Sequence, residues 1–394
     1  MPDVQFPKNF VWGASSASFQ IEGSPLADGA SPSIWLDFTR KKGAIDRGDN
    51  ADTACDHYNR YEEDIAIMAD LGIDSYRFSL AWPRIVPEKG RINQKGLDFY
   101  SRLTDGLLKR GIRPLATLFH WDAPSWLFAA GGFTRAESVD DYLFYCEAVF
   151  KSLGDRIKQW VSINEPMVFA IYGYITGEMP PGKKNSLKGM CRTAHHLLMA
   201  HNRAVPLCRS LVPGGTIGIA QACVWMKPFN ADSEKDCRAA ELMDTIVNRM
   251  YSEPLYKGAY PELFVKKFGK HFPAGFQKEM ADNAQPGDFI GVNYYTSQSY
   301  AHSPFGPLTR AKEKPTTGAK RSAMWEIYPE GLYNFLKRVK DEYNNLPCYV
   351  TENGYPILEK DGPVIDDDER IAYLKDHFQM ASRAIKDGVH LSGY

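Results

Sequence analysis

The sequence predicts a single α/β domain of the TIM (β/α)8-barrel type, and three observations carry that prediction. Short apolar, β-branched runs alternate with longer segments of helical period along all 394 residues. No Ser/Gly-rich linker, charge block or low-complexity tract interrupts them, so 1–394 is expected to form one barrel domain. Several runs begin apolar and end in polar or charged residues, as barrel strands do where their C-terminal ends converge on the chemistry. A doubly wound sheet would also gather ligands at strand ends, but the chain has no GxGxxG and no Walker loop.

In order, the strand candidates are FVWGASSAS, SYRFSLAW, RPLATLFH, QWVSINEP, TIGIAQAC, FIGVNYYT and PCYVTENG. Between them, segments such as 54–70, 138–154 and 366–386 carry helical period. The acidic run at 366–369 suits a helix N-terminus, where negative charge meets the dipole. That makes seven strands, with an eighth approached at LSGY, where the sequence stops. Strand eight and the last helix are therefore expected to be missing. A barrel so shortened would expose unpaired edges open to self-association.

Composition excludes several functions. Lys plus Arg number 47 against 48 Asp plus Glu, so there is no field to attract nucleic acid or an anionic membrane. No run approaches the ~18 apolar residues of a membrane span. The start, MPDVQFPKNF, lacks the basic and apolar regions of a signal peptide, which predicts a cytoplasmic protein. Seven cysteines without a CxxC pair read as single buried thiols in a reducing compartment. His195, His196 and His201 lie in a helical segment rich in Leu and Ala, where packing explains them better than a metal does. No metal and no organic cofactor is expected.

Two glutamates stand out. Glu165 closes QWVSINEP and Glu352 closes PCYVTENG. A carboxylate at the end of an apolar strand is costly unless it is paired or used. Either one alone could pair with an arginine or cap a helix. Together, on the fourth and seventh strands, they match what glycoside hydrolysis requires: one acid to protonate the leaving oxygen, one carboxylate to act at the anomeric carbon.

The motifs TLFHWD (117–122), INEP (163–166) and VTENG (350–354) resemble family 1 glycoside hydrolases, the β-glucosidase family. So do FPKNFVWGASSASFQIEG (6–23), YRFSLAWPRI (76–85) and GVNYYT (291–296), in the same order along essentially the whole chain. The resemblance implies that Glu165 is the acid/base and Glu352 the nucleophile of a retaining mechanism. It places Arg77 beside the nucleophile, where its charge would keep Glu352 ionised, and gives Tyr295 the hydrogen bond that orients Glu352. It assigns Asn164 to the sugar 2-hydroxyl, Gln20 and His120 to the 3- and 4-hydroxyls, and Trp325 to the floor under the ring. Trp121 and Asn293 join that substrate-binding set.

The expected activity is removal of terminal β-D-glucosyl residues, with galactosyl or fucosyl as variants, from small β-glycosides or oligosaccharides. Two other readings stand beside it: a 6-phospho-β-glycosidase, and a truncated barrel, weak or inactive in catalysis, that binds sugar. Met167 after NEP and Tyr355-Pro356-Ile357 after TENG depart from the family's usual residues and bear on aglycone preference.

Overall fold

The computed structural model describes residues 4–305, 309–357 and 367–394. Its contacts gather the chain into two compact units. One comprises Val11–Ala220 with Phe268–Phe289; the other comprises Met1–Phe10, Gln221–Lys267 and Ile290–Tyr394.

In the first unit, β1 (Gly13–Ser15), β2 (Ser75–Ser79), β3 (Arg113–Phe119), β4 (Gln159–Asn164) and the start of β5 (Thr216–Pro228) lie parallel in chain order. β2 is buried throughout, β3 after Arg113 and β4 after Gln159. Burial on both faces is why these strands read as apolar runs rather than as alternation. Helices His57–Asp70, Gln94–Lys109, Glu137–Leu153 and Leu187–Leu211 connect successive strands. Gln94–Lys109 buries Leu97, Tyr100, Leu103 and Leu107, one stripe at helical spacing. Each such leucine contributes roughly 1.5–3 kcal/mol through area removed from water. Ser33 and Ser186 cap helices by accepting the Leu36 and Gly189 amides.

In the second unit, β6 (Phe289–His302) forms a hairpin with the short antiparallel β7 (Ala311–Glu313). β8 (Cys348–Glu352) runs parallel to β6, with Val350 opposite Val292. Helices Pro329–Glu342 and Asp368–Lys386 bury Leu332, Leu336, Ala381 and Ala384. Parallel strands taken in chain order, with helices between them, are the TIM (β/α) barrel arrangement.

Strand eight corrects the sequence expectation. Residues Leu391–Gly393 form β9, parallel to β8, so the edge expected to lie open at β8 is covered. The strand is short but well seated. Val389 and Leu391 alternate into the core, and the His390 carbonyl accepts the Cys348 amide at 2.9 Å. FVWGASSAS is also not one strand. The strand itself is Gly13–Ser15, and the chain then turns into the short helix Ser18–Ile21, started by Ser79 Oγ accepting the Ser18 amide. The helical segments at 54–70, 138–154 and 366–386 are His57–Asp70, Glu137–Leu153 and Asp368–Lys386; Asp366 lies outside the described residues.

The three histidines of Leu187–Leu211 are structural. His195 meets Glu279, His196 the Phe133 carbonyl, and His201 both Ser162 and the Gln285 carbonyl. No group able to hold a metal occurs among the described residues. The seven cysteines form no disulfide, but Cys55 and Cys237 are exposed rather than buried. Cys55 lies in the turn before His57–Asp70, and Cys237 lies in the first turn of the helix Glu234–Asp244. Among the described residues, no helix is long and apolar enough to cross a membrane.

Candidate active site

Glu165 follows directly on β4 and precedes Pro166, which starts the helix Pro166–Ile171. Its backbone takes the left-handed conformation at φ +46°, uncommon for a residue with a Cβ. The surroundings hold it there. Its amide donates to the Ala220 carbonyl at 2.8 Å and its carbonyl accepts the Phe169 amide at 3.3 Å. Trp121 is a second left-handed residue, φ +67°, whose indole Nε1 donates to the Asn164 carbonyl at 3.0 Å. Such outliers cost of order 1–3 kcal/mol each and persist where the fold over-determines them. Glu165 is buried, 6% exposed, and Asn164 is fully buried.

Arg77, on β2, is buried and gives Nε to Thr117 Oγ1 at 3.0 Å and Nη2 to Asn164 Oδ1 at 2.5 Å. With Oδ1 committed to the guanidinium, Asn164 presents Nδ2 to His120 Nε2 at 3.1 Å. That nitrogen must then accept, which puts the His120 proton on Nδ1. One arginine thus sets the amide orientation and, through it, the imidazole tautomer. Gln20 is exposed on Ser18–Ile21 and shares with His120, Trp121, Trp35, Ile45 and Met179 the wall of a pocket of about 450 Å³. Asp122, one residue beyond Trp121, is a buried acid that the sequence did not single out. Burial pushes its carboxyl up to about 7, against hydrogen bonds from Ser33 and the Trp35 amide. Those bonds fasten the segment carrying Trp35, a positioning duty.

Around Glu352 the means differ. The residue ends β8 opposite Asn293, and Tyr295 Oη donates to its Oε2 at 2.9 Å. Asn293 is buried, and its Oδ1 accepts the Thr351 hydroxyl at 2.6 Å. Its amide therefore works at least partly to hold β6 to β8. The Trp325 ring lies 5.2 Å from that of Tyr295.

The sequence-predicted residues thus fall into two groups: Arg77, His120, Trp121, Asn164 and Glu165, with Gln20 lining a pocket beside His120 and Trp121, and Asn293, Tyr295, Trp325 and Glu352. Sequence reasoning missed Thr117, which seats Arg77, and Asn353 with its tyrosine partners, which brace the strand end at Glu352. Thr117 stands inside the TLFHWD motif, so its position was signalled and its role was not.

Carboxylates at strand ends among amide, imidazole, hydroxyl and indole groups are the equipment of a glycoside-cleaving barrel enzyme. The chain belongs to glycosyl hydrolase family 1, whose sequence pattern matches residues 3–394. It is 43% identical over 398 residues to beta-glucosidase A of Thermotoga maritima, covering 99% of this chain and 88% of the relative. It is 37% identical over 420 residues to an aryl-phospho-beta-D-glucosidase of Bacillus subtilis, covering 99% and 87%. The solved structure of the Thermotoga maritima beta-glucosidase in complex with deoxynojirimycin superposes with a TM-score of 0.95 at 42% identity, covering 100% of this chain and 89% of that one. The protein is a family 1 glycosidase with the TIM-barrel fold.

Proposed function

We propose that the chain is an exo-acting retaining β-glucosidase of small β-glycosides, with Glu352 as nucleophile and Glu165 as acid/base. The observation that carries this division is the Tyr295–Glu352 hydrogen bond. A phenol donating at 2.9 Å stabilises a carboxylate in its charged, attacking form and fixes the oxygen it grips. Glu165, buried at a strained turn, suits a group that alternates between acid and base from a fixed place. Arg77 serves as the cation that favours the ionised nucleophile, and it orders Asn164 for the sugar 2-hydroxyl. His120 and Gln20 take the 3- and 4-hydroxyls, Trp121 and Asn293 border the same sugar, and Trp325 lies under its ring. The mechanism needs no metal or cofactor.

Greater likeness to a β-glucosidase than to a phospho-β-glucosidase, 43% against 37% identity, favours the unphosphorylated sugar. Seven cysteines without a disulfide suit the reducing cytoplasm.

The test is hydrolysis of 2,4-dinitrophenyl β-D-glucoside and its 6-phosphate by the parent and by Glu352→Ala, with and without azide. The expected result is turnover of the unphosphorylated substrate, its loss in the variant, and azide rescue yielding the α-glucosyl azide. β-Glucosyl azide from this variant, or undiminished turnover, overturns the assignment of the nucleophile. Preference for the 6-phosphate overturns the choice of sugar.

A further inference from the structure

Asn353 follows the proposed nucleophile, and its side chain makes three bonds. Nδ2 donates to the Tyr294 carbonyl at 2.5 Å and to Tyr373 Oη at 2.9 Å, while Oδ1 accepts from Tyr394 Oη at 2.6 Å. Tyr373 passes its own proton on to the Tyr295 carbonyl at 3.1 Å. Tyr373 belongs to the helix Asp368–Lys386, and Tyr394 follows β9. Both hydroxyls remain protonated donors, since burial raises them well above the usual phenol range. Tyr373 is nearly fully buried and lies on His377, ring centres 3.9 Å apart; Tyr394 meets Phe378 edge-on at 4.8 Å.

The chain of bonds therefore fixes both ends of the Tyr295–Glu352 contact. Asn353 anchors the backbone one residue past Glu352, and Tyr373 anchors the carbonyl of Tyr295 itself. In such a chain each bond polarises the next. Reacting groups need placement within about 0.5 Å, and a side-chain bond between two strands holds only as well as their backbones do.

We infer that Tyr373 and Tyr394 are positioning residues for the nucleophile: through Asn353 and the Tyr295 carbonyl they hold Tyr295 and Glu352 in register. Neither belongs to the motifs that identify the family in this sequence. The inference rests on the assignment of Glu352 proposed above.

Replacing Tyr373 by phenylalanine removes the donor to Tyr295 and keeps the ring. The expected result is a fall of about 10-fold in kcat, the equivalent of one hydrogen bond, with KM within twofold of the parent. In a cycle with Tyr295→Phe the two losses should not multiply, because the second substitution finds the contact already gone. Tyr394→Phe should act in the same direction, about threefold, and also fail to multiply with Tyr295→Phe. A merely structural tyrosine would lower the melting temperature, leave kcat of the folded enzyme alone, and multiply fully. Should Tyr373→Phe not fold, the Tyr394→Phe cycle decides. The inference is overturned if the folded variants keep kcat within twofold of the parent, or if their losses multiply with Tyr295→Phe. Failure of the underlying assignment looks different: Glu352→Ala and Tyr295→Phe would then themselves retain parental turnover.

Discussion

Glu165 follows β4 in the left-handed region, at φ +46°, while Glu352 ends β8 outside that region and is gripped through its side chain by Tyr295. At the first, the turn into Pro166–Ile171 and the bond from the Glu165 amide to the Ala220 carbonyl fix the backbone. The second is aimed by a neighbour, Tyr295, whose carbonyl accepts from Tyr373 of the next helix, while Tyr394 donates to Asn353, the residue after Glu352. The difference suits their duties. An acid that must also act as base benefits from a fixed position. A nucleophile benefits from a donor that keeps it charged.

Glycine at each position would break this comparison most sharply. Glu165→Gly should cut hydrolysis by about 10²–10⁴, the usual worth of a general acid. It should not lower the melting temperature, because glycine takes a positive φ without steric cost. Glu352→Gly should abolish hydrolysis and lower the melting temperature. There glycine relieves nothing, costs about 0.5–1 kcal/mol in a strand, and leaves the Tyr295 hydroxyl without its acceptor. Equal destabilisation by the two, read by scanning calorimetry, would show that no strain is stored at Glu165.

A smaller effect separates the surroundings of the two sites. Behind β4, His201 lies between Ser162 Oγ and the Gln285 carbonyl; in the other unit, His377 lies on Tyr373. Burial pushes both down to about 4. Since the folded value lies below the ordinary value of about 6.5, the unfolded chain binds more protons between the two. The stability contributed is whole above pH ~6.5 and falls away as the pH drops toward 4. Each histidine contributes at most on the order of 3 kcal/mol. His201→Gln and His377→Gln should each flatten the loss of denaturation free energy between pH 6.5 and 4. An unchanged slope in either variant would show that the residue is not the buried neutral group described.

The fold class and the site were legible to different depths. Apolar runs ending in NEP, HWD and TEN marked strands and their functional ends, because burial on both faces and polar termini leave a local trace. The helix at Ser18–Ile21, which carries Gln20, left little trace: FVWGASSAS is apolar and small enough to pass for strand, and Ser79, 61 residues away, starts the helix. β9 is only three residues, too short for any period to show. The roles of Thr117, Tyr373 and Tyr394 come from bonds spanning 40, 78 and 41 positions, so no sequence window contains both partners. Left-handed Glu165 and Trp121 were equally hidden, since neither residue type favours that conformation.

The most direct measurement is peptide mass mapping of the enzyme after inactivation by 2,4-dinitrophenyl 2-deoxy-2-fluoro-β-D-glucoside. The fluorine slows both steps, and the good leaving group lets the covalent intermediate accumulate. A single fluoroglucosyl adduct on Glu352 is the predicted result. An adduct on Glu165 or another residue, or release of α-glucose from a β-glucoside with no adduct at all, would contradict Glu352 as the nucleophile of a retaining mechanism.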